Sequence, residues 1–170
     1  MASKMSDPRE LFLHELGDAL YFEKQLVKTL PKLQTEATDQ ELARGFGEHL
    51  KQTKKHVENV EQAFKALGEK AKAEKCPGIE GLKQEHDEFV SEESPSPEVL
   101  DAFLTGAAAR TEHYEIAAYE GLVTMARAMG ERDVVRLLDE NLKQEKETLK
   151  KVQTISKRLA TEQAREMVTA

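Results

Sequence analysis

The sequence predicts an all-α protein, a four-helix bundle of two antiparallel hairpins joined by a long crossover that contains a short helix. Three observations favour this fold. The composition is dominated by Ala, Glu, Lys and Leu. Apolar residues recur at steps of three and four over four long segments, and no segment alternates as a strand does. At 170 residues the chain suits one domain with a substantial core, which we assign to residues 1–170.

The first helix is predicted over about residues 8–36. Asp7 is a favourable N-cap, and Pro8 follows it at the first helical position, where a missing N–H costs nothing. Pro31 interrupts the pattern, so we expect a kink or a tightened helix end there.

The second helix is predicted over about residues 39–68. Thr38 and Glu41 have the spacing of a capping box, and Gly68 is a typical helix end. Residues 69–96 then form the crossover, whose few apolar residues indicate a short helix.

The third and fourth helices are predicted over about residues 97–129 and 132–163. Ser96 and Pro97 open the third helix, and Gly130 ends it. Because the loops within each pair of helices are short, each pair should form an antiparallel hairpin.

Each of the four apolar faces is interrupted by a side chain that can bind a metal. These are Glu23 in the first helix, His49 in the second, Glu112 and Glu115 in the third, and Glu145 in the fourth. Counting back from the hairpin loops at about 1.5 Å per residue puts them at a common level. Because a buried carboxylate needs a partner or a cation, this pattern predicts a metal centre.

Oxygen-rich ligands with one imidazole suit one or two ions of iron, or manganese, better than structural zinc. The alternative is that each buried Glu is a paired structural residue. We expect His56 to pack behind the ligands or in the core, and Tyr119 alone is typical of core packing. His14 and His86 fall off the apolar faces and are predicted to be exposed. Cys76 is predicted to be an incidental loop thiol.

Composition argues against several classes of protein. The net charge is −7 and basic residues are interleaved with acidic ones, which argues against nucleic acid as a partner. No run approaches the roughly 18 apolar residues of a membrane span, and the first residues lack the apolar core of a signal peptide. One cysteine excludes an internal disulfide, so we expect a reducing cytoplasm.

The third helix is apolar over more than one face. The residues that widen it are Ala109, Ile116, Ala117 and Val123. A helix of this kind needs a second covering surface, and a two-fold homodimer is the commonest solution.

Four blocks of the sequence resemble one family. They are 15-ELGDALYFEKQL-26, 48-EHLKQTKKHVENVEQ-62, 112-EHYEIAAYEGL-122 and 144-QEKETLKK-151. They are similar to the YciF-like bacterial stress proteins, a branch of the ferritin-like superfamily close to rubrerythrin-type bundles. This resemblance implies a four-helix bundle with a dinuclear non-haem iron site, usually in a homodimer.

Ferritin-like proteins typically use one Glu on each of two helices and Glu-x-x-His on each of the other two. By resemblance, Glu23, Glu112 and Glu145 match this pattern, and Glu115 matches an additional Glu of rubrerythrins. The departures are His49 in place of a Glu, and Gln52 and Thr148 in place of histidines.

Three functions remain open on the sequence. The first is a metal-dependent oxidoreductase that reacts with oxygen or peroxide, with Tyr119 or Tyr114 nearby as a hydrogen-bond donor or redox partner. The second is a non-catalytic stress protein, a helical dimer whose metal only holds the core. The third is iron storage, which requires a hollow multimer that nothing in the chain indicates.

Overall fold

The computed structural model describes residues 5–169 and confirms the predicted fold class. Its helices are α1 (Pro8–Glu36), α2 (Gln40–Ala66), α3 (Pro77–Glu93), α4 (Pro97–Ala128) and α5 (Arg132–Thr169). No strand occurs among these described residues. The crossover helix is α3, and α5 continues six residues beyond its predicted end at residue 163.

The predicted starts of α1 and α4 are found in the structure. The carboxylate of Asp7 accepts a 2.8 Å hydrogen bond from the N–H of Arg9, and Ser96 caps α4. A proline follows each cap. Helix α1 continues through Pro31 to Glu36, so the helix does not end at the proline, which removes one backbone donor from its last turns.

The predicted capping box at Thr38 is not formed. Asp39 caps α2 instead, accepting a hydrogen bond of 2.9 Å from the N–H of Leu42. The hydroxyl and N–H of Thr38 donate to Asp101 of α4, at 2.6 and 2.9 Å. Asp101 is only 4% exposed, so Thr38 makes a buried tertiary contact between the hairpins instead of capping α2.

The other end of the bundle is closed by two glycines in left-handed conformation. Gly68 has φ of 73° and Gly130 has φ of 77°, values that side chains with a Cβ rarely adopt. In each turn the next N–H bonds back to the helix: Glu69 to the carbonyl of Phe64 at 2.9 Å, and Glu131 to that of Ala126 at 3.0 Å. These turns set the register within which the candidate metal-binding side chains meet.

The bundle is built from the α1–α2 hairpin and the α4–α5 hairpin. Helix α2 packs on α5, α1 packs on α4, and α3 packs on the outside of α4. The crossover approaches α1 closely at Gly17, whose carbonyl accepts a 3.0 Å bond from the N–H of Glu74. A Cβ at Gly17 would lie 2.9 Å from the carbonyl oxygen of Lys72, so this approach requires glycine.

Two polar or reactive side chains of the crossover are buried, and for His86 this corrects the predicted exposure. His86 is 5% exposed, and its Nε2 lies 2.8 Å from a carboxylate oxygen of Glu36. Cys76 is 1% exposed, with its Sγ 2.8 Å from the hydroxyl of Tyr114. Both fall off the apolar faces of the four main helices because they belong to α3 and its start, which pack on the bundle from outside. His14 is exposed, as predicted.

The apolar residues that suggest a dimer are partly covered within one chain. Ile116 and Val123 are buried, whereas Ala117 is exposed. This face therefore leaves less apolar surface for a partner to cover, and the homodimer stays a prediction. Between residues 5 and 169, no helix has an apolar stretch long enough to cross a bilayer.

Candidate metal centre

The five predicted ligands meet at the middle of the bundle. Glu23, Glu115 and Glu145 are fully buried, and Glu112 and His49 are 2% and 5% exposed. Each of the four long helices contributes at least one of them. The hairpin registers bring them to one level, since Glu115 and Glu145 are equally distant from Gly130.

Four of these residues form the first cluster: His49, Glu112, Glu115 and Glu145. One ligand atom of each lies within 4.8 Å of the others. Nε2 of His49 is 3.3 Å from an oxygen of Glu112 and 3.8 Å from an oxygen of Glu145. The imidazole and three carboxylates therefore surround one point in the core.

The second cluster consists of Glu23, His56 and Glu145. Nδ1 of His56 is 2.8 Å from Oε1 of Glu145 and 3.3 Å from Oε1 of Glu23. The 2.8 Å contact is poorly aligned for a hydrogen bond, since Nδ1 of His56 and both oxygens of Glu145 lack an aligned partner. Glu145 belongs to both clusters, so it lies where a bridging carboxylate would be needed.

His56 is the ligand candidate that the sequence analysis placed behind the site. The hairpin loop lies near residue 38, between Glu36 and Gln40, which puts Glu23 opposite Thr53. His49 and His56 lie on either side of that level and face the two halves of the cluster. The spacing of 53-TKKH-56 could have indicated this, because it matches Glu-x-x-His. This match corrects the predicted assignment, since Thr53 rather than His49 takes the Glu position and His56 rather than Gln52 takes the His position.

A chain of hydrogen bonds supports the second cluster. The hydroxyl of Tyr119 donates a short hydrogen bond to Glu23. Asn141 donates to the hydroxyl of Tyr119 at 2.9 Å, and Asn59 donates to Asn141 at 2.8 Å. Tyr119 thus orients a candidate ligand. Tyr114 is hydrogen-bonded to Cys76 and lies outside the centre.

The polar residues Gln52 and Thr148 lie beside His49. The hydroxyl of Thr148 is 3.5 Å from Nδ1 of His49 and 3.4 Å from the side-chain oxygen of Gln52. Nε2 of His56 is 3.0 Å from the side-chain oxygen of Gln144. Each histidine therefore has a polar neighbour at one ring nitrogen, which fixes the ring and directs the other nitrogen to the carboxylates.

Several buried atoms of the centre have no hydrogen-bond partner. They are both oxygens of Glu115, both oxygens of Glu145, one oxygen each of Glu23 and Glu112, and Nδ1 of His56. An unpartnered buried polar atom costs about 1–3 kcal/mol, and more when it is charged. A divalent cation would satisfy these atoms together, so the residues fit a metal.

The pKa values of the buried ligand candidates also indicate that the centre needs additional positive charge. Burial raises the pKa of Glu112 and Glu115 well above the usual value, and the nearby carboxylates raise it further. Burial alone would lower the pKa of His56, but Glu23 and Glu145 raise it to about 11. When no cation is bound, protons held by Glu112, Glu115 and His56 therefore offset negative charge in the two clusters.

The spacing of the ligand atoms suits a six-coordinate metal. Two ligands at about 2.1 Å on adjacent corners of an octahedron are roughly 3 Å apart. The distances of 2.8 and 3.3 Å in the second cluster, and of 3.3 Å between His49 and Glu112, are close to this value. Together, the four carboxylates and two imidazoles could hold a metal ion.

Comparison with known proteins gives consistent results. The chain is 38% identical to YciF of Escherichia coli K12 over 145 residues, which cover 85% of this chain and 87% of that protein. The crystal structure of YciF, described as a stress protein, superposes with a TM-score of 0.87 at 35% identity, covering 92% of this chain and 99% of that one.

Two further structures are similar. YcfI of Rhodopseudomonas palustris has a TM-score of 0.87 at 40% identity and covers 91% of this chain and 98% of its own. A protein of Xanthomonas campestris pv. campestris has a TM-score of 0.73 at 22% identity, covering 95% and 99%, and supports the fold alone. The family model for DUF892, described as a domain of unknown function, matches residues 7–165. The chain therefore belongs to the DUF892 family and is a relative of YciF.

Proposed function

We propose that this protein is a ferritin-like metalloprotein that holds two divalent ions, iron or manganese, in the bundle core, and that its iron form reacts with oxygen or peroxide. The observation that carries the proposal is a pair of buried histidine–carboxylate clusters that share Glu145 and leave its two oxygens unpartnered. Bound non-haem iron supplies one-electron chemistry towards oxygen.

The roles of the residues follow from their positions. Glu145 would bridge the two ions, with His49, Glu112 and Glu115 on one side and Glu23 and His56 on the other. The hydroxyl of Tyr119 donates a hydrogen bond to the Glu23 carboxylate, which orients this carboxylate and keeps a proton beside it. The six ligand candidates are at most 5% exposed, so their ligand atoms have little direct contact with bulk water.

We extend the stress-associated role of YciF to this chain as part of the proposal. The cytoplasm and a two-fold homodimer are proposed as its location and assembly.

A second candidate function is structural, with metal only stabilising the core. It is supported by Thr53 and Thr148, which occupy positions where a full set of ligands would have Glu and His. It also agrees with the structural role suggested for YcfI.

One experiment tests both functions. Metal-free protein is titrated anaerobically with iron(II) or manganese(II), and the melting temperature is followed. We expect a rise of several degrees, because a ligand at about 100 times its Kd adds roughly 2.7 kcal/mol of stability. Air is then admitted to the iron(II) sample, and we expect oxygen uptake much faster than with free iron(II) in the same buffer. The control is the variant His14→Ala, which removes an exposed histidine outside the centre and should behave like the native protein in both measurements.

The outcomes are distinct. An unchanged melting curve with both metals would contradict the metal centre. A higher melting temperature with oxygen uptake no faster than that of free iron(II) would reject the oxygen chemistry and favour the structural function.

A further inference from the structure

A cavity of about 80 Å³, measured as the space open to the centres of water-sized molecules, adjoins the metal centre. It lies between the centre and the end of the bundle where α1 connects to α2. Its lining is mainly apolar, with Leu30, Phe46 and Ile155 from the main helices and Ile79 and Leu82 from α3.

The cavity exists because α4 carries small side chains at this level. The run 106-GAAA-109 places Ala107 and Ala108 in the lining, where a bundle helix would usually present larger apolar residues. Helix α3 covers the resulting space from outside.

Apart from His49 and Glu112, which belong to the metal centre, the lining has threonine hydroxyls that are already hydrogen-bonded and need no water. The hydroxyls of Thr29, Thr111 and Thr148 donate to backbone carbonyls one turn earlier, at 3.0, 3.0 and 3.1 Å. A cavity with few free polar groups stays dry and binds apolar molecules, whereas a buried water needs two to four polar partners.

The cavity connects the surface to the metal centre. Its lining includes His49 and Glu112 of the first cluster as well as the exposed residues Lys83, Glu48 and Lys151. Lys151 pairs with Glu48 at 3.5 Å, and Lys83 pairs with Asp87 at 2.6 Å. Since both lysines are paired, the entrance favours an uncharged molecule over an anion.

We propose that this cavity binds a small, uncharged, apolar molecule and holds it beside the metal ions. The binding follows from the cavity itself, and only the nearness to metal rests on the proposed function. The centre would then have an apolar organic substrate or ligand in addition to oxygen or peroxide.

Xenon is a suitable probe, because it enters dry apolar cavities of this kind. We expect crystals of the protein under xenon pressure to show a xenon atom in contact with Ala108. The variants Ala108→Leu and Ala107→Leu should each fill the space and remove that xenon, while leaving manganese(II) binding unchanged. Ala117→Leu, the same change at an exposed position of α4, should keep the xenon.

Nearness to the metal is measured by the relaxation of ¹²⁹Xe. Manganese(II) should accelerate relaxation of xenon bound to the native protein and have no such effect in Ala108→Leu. Xenon in the cavity of a protein that binds no manganese would support the ligand site and reject only the metal centre. Absence of xenon in the native protein, or equal occupancy in both filling variants, would overturn the inference whatever the metal result.

Discussion

Replacing Glu145 by alanine is expected to remove the binding of both metal ions. Glu145 is the one residue common to the two clusters, and its oxygens lie 2.8 Å from His56 and 3.8 Å from His49. Loss of a group that only supports a ligand typically costs 10–100-fold in metal affinity, so loss of a shared ligand should cost more than about 100-fold. Calorimetric titration with manganese(II) measures the affinity and the number of ions.

Two further variants distinguish the loss of a shared ligand from the loss of any other carboxylate. Glu23→Ala should weaken only the ion on the His56 side, so one of the two ions should remain. Glu147→Ala removes an exposed carboxylate of α5 and should bind both ions normally. Two ions bound to Glu145→Ala with native affinity would show that Glu145 does not bridge them.

Replacing Glu115 by methionine is expected to change stability in opposite directions with and without metal. Both carboxylate oxygens of Glu115 are buried without a partner. An unbranched apolar side chain of similar length removes that cost, so the metal-free variant should be more stable by about 1–3 kcal/mol. With saturating manganese(II), the variant should lose part of the stabilisation that the ion gives the native protein.

The gain should depend on pH. Burial raises the pKa of Glu115 above the usual 4.5, so above that pH the unfolded chain releases a proton that the folded chain keeps. The destabilising effect of Glu115 is therefore small at low pH and grows as the pH rises above about 4.5. The stabilisation by methionine should grow over the same range.

Urea unfolding in the presence of a chelator measures these free energies. Glu120→Met, at an exposed position of α4 paired with Lys146, is the control and should change stability by less than about 0.5 kcal/mol. A metal-free Glu115→Met protein less stable than the native one would show that Glu115 has stabilising contacts within the protein.

Local patterns predicted most of the fold. The caps at Asp7 and Ser96 and the glycines at 68 and 130 act within a few residues, so the sequence is enough to identify them. Thr38 was mispredicted because its partner, Asp101, is 63 residues away and only the folded bundle brings them together.

The candidate site was predicted in part, for a geometric reason. Counting equal numbers of residues back from a hairpin loop gives the height of a residue along the bundle to about one helical turn. This accuracy is enough to place five residues at a common height, but it cannot decide between His49 and His56. An error in the position of the loop centre is doubled at the residue on the opposite helix. The structure removes this error and places both histidines in the centre.

The crossover and the cavity could not be predicted from helical periodicity. His86 and Cys76 are buried by the packing of α3 on the bundle, a contact between segments with no common period. The cavity depends on the shapes of side chains from all five helices around 106-GAAA-109. Such a space becomes visible only when the packing is known.

The central claim, a two-metal centre built around Glu145, is tested most directly by anomalous diffraction at the manganese edge from crystals soaked in manganese(II). We expect two peaks inside the bundle, about 3.5–4 Å apart, on either side of the Glu145 carboxylate. One peak should contact His49, Glu112 and Glu115, and the other should contact Glu23 and His56. Peaks confined to surface carboxylates, with none between the four long helices, would contradict the account.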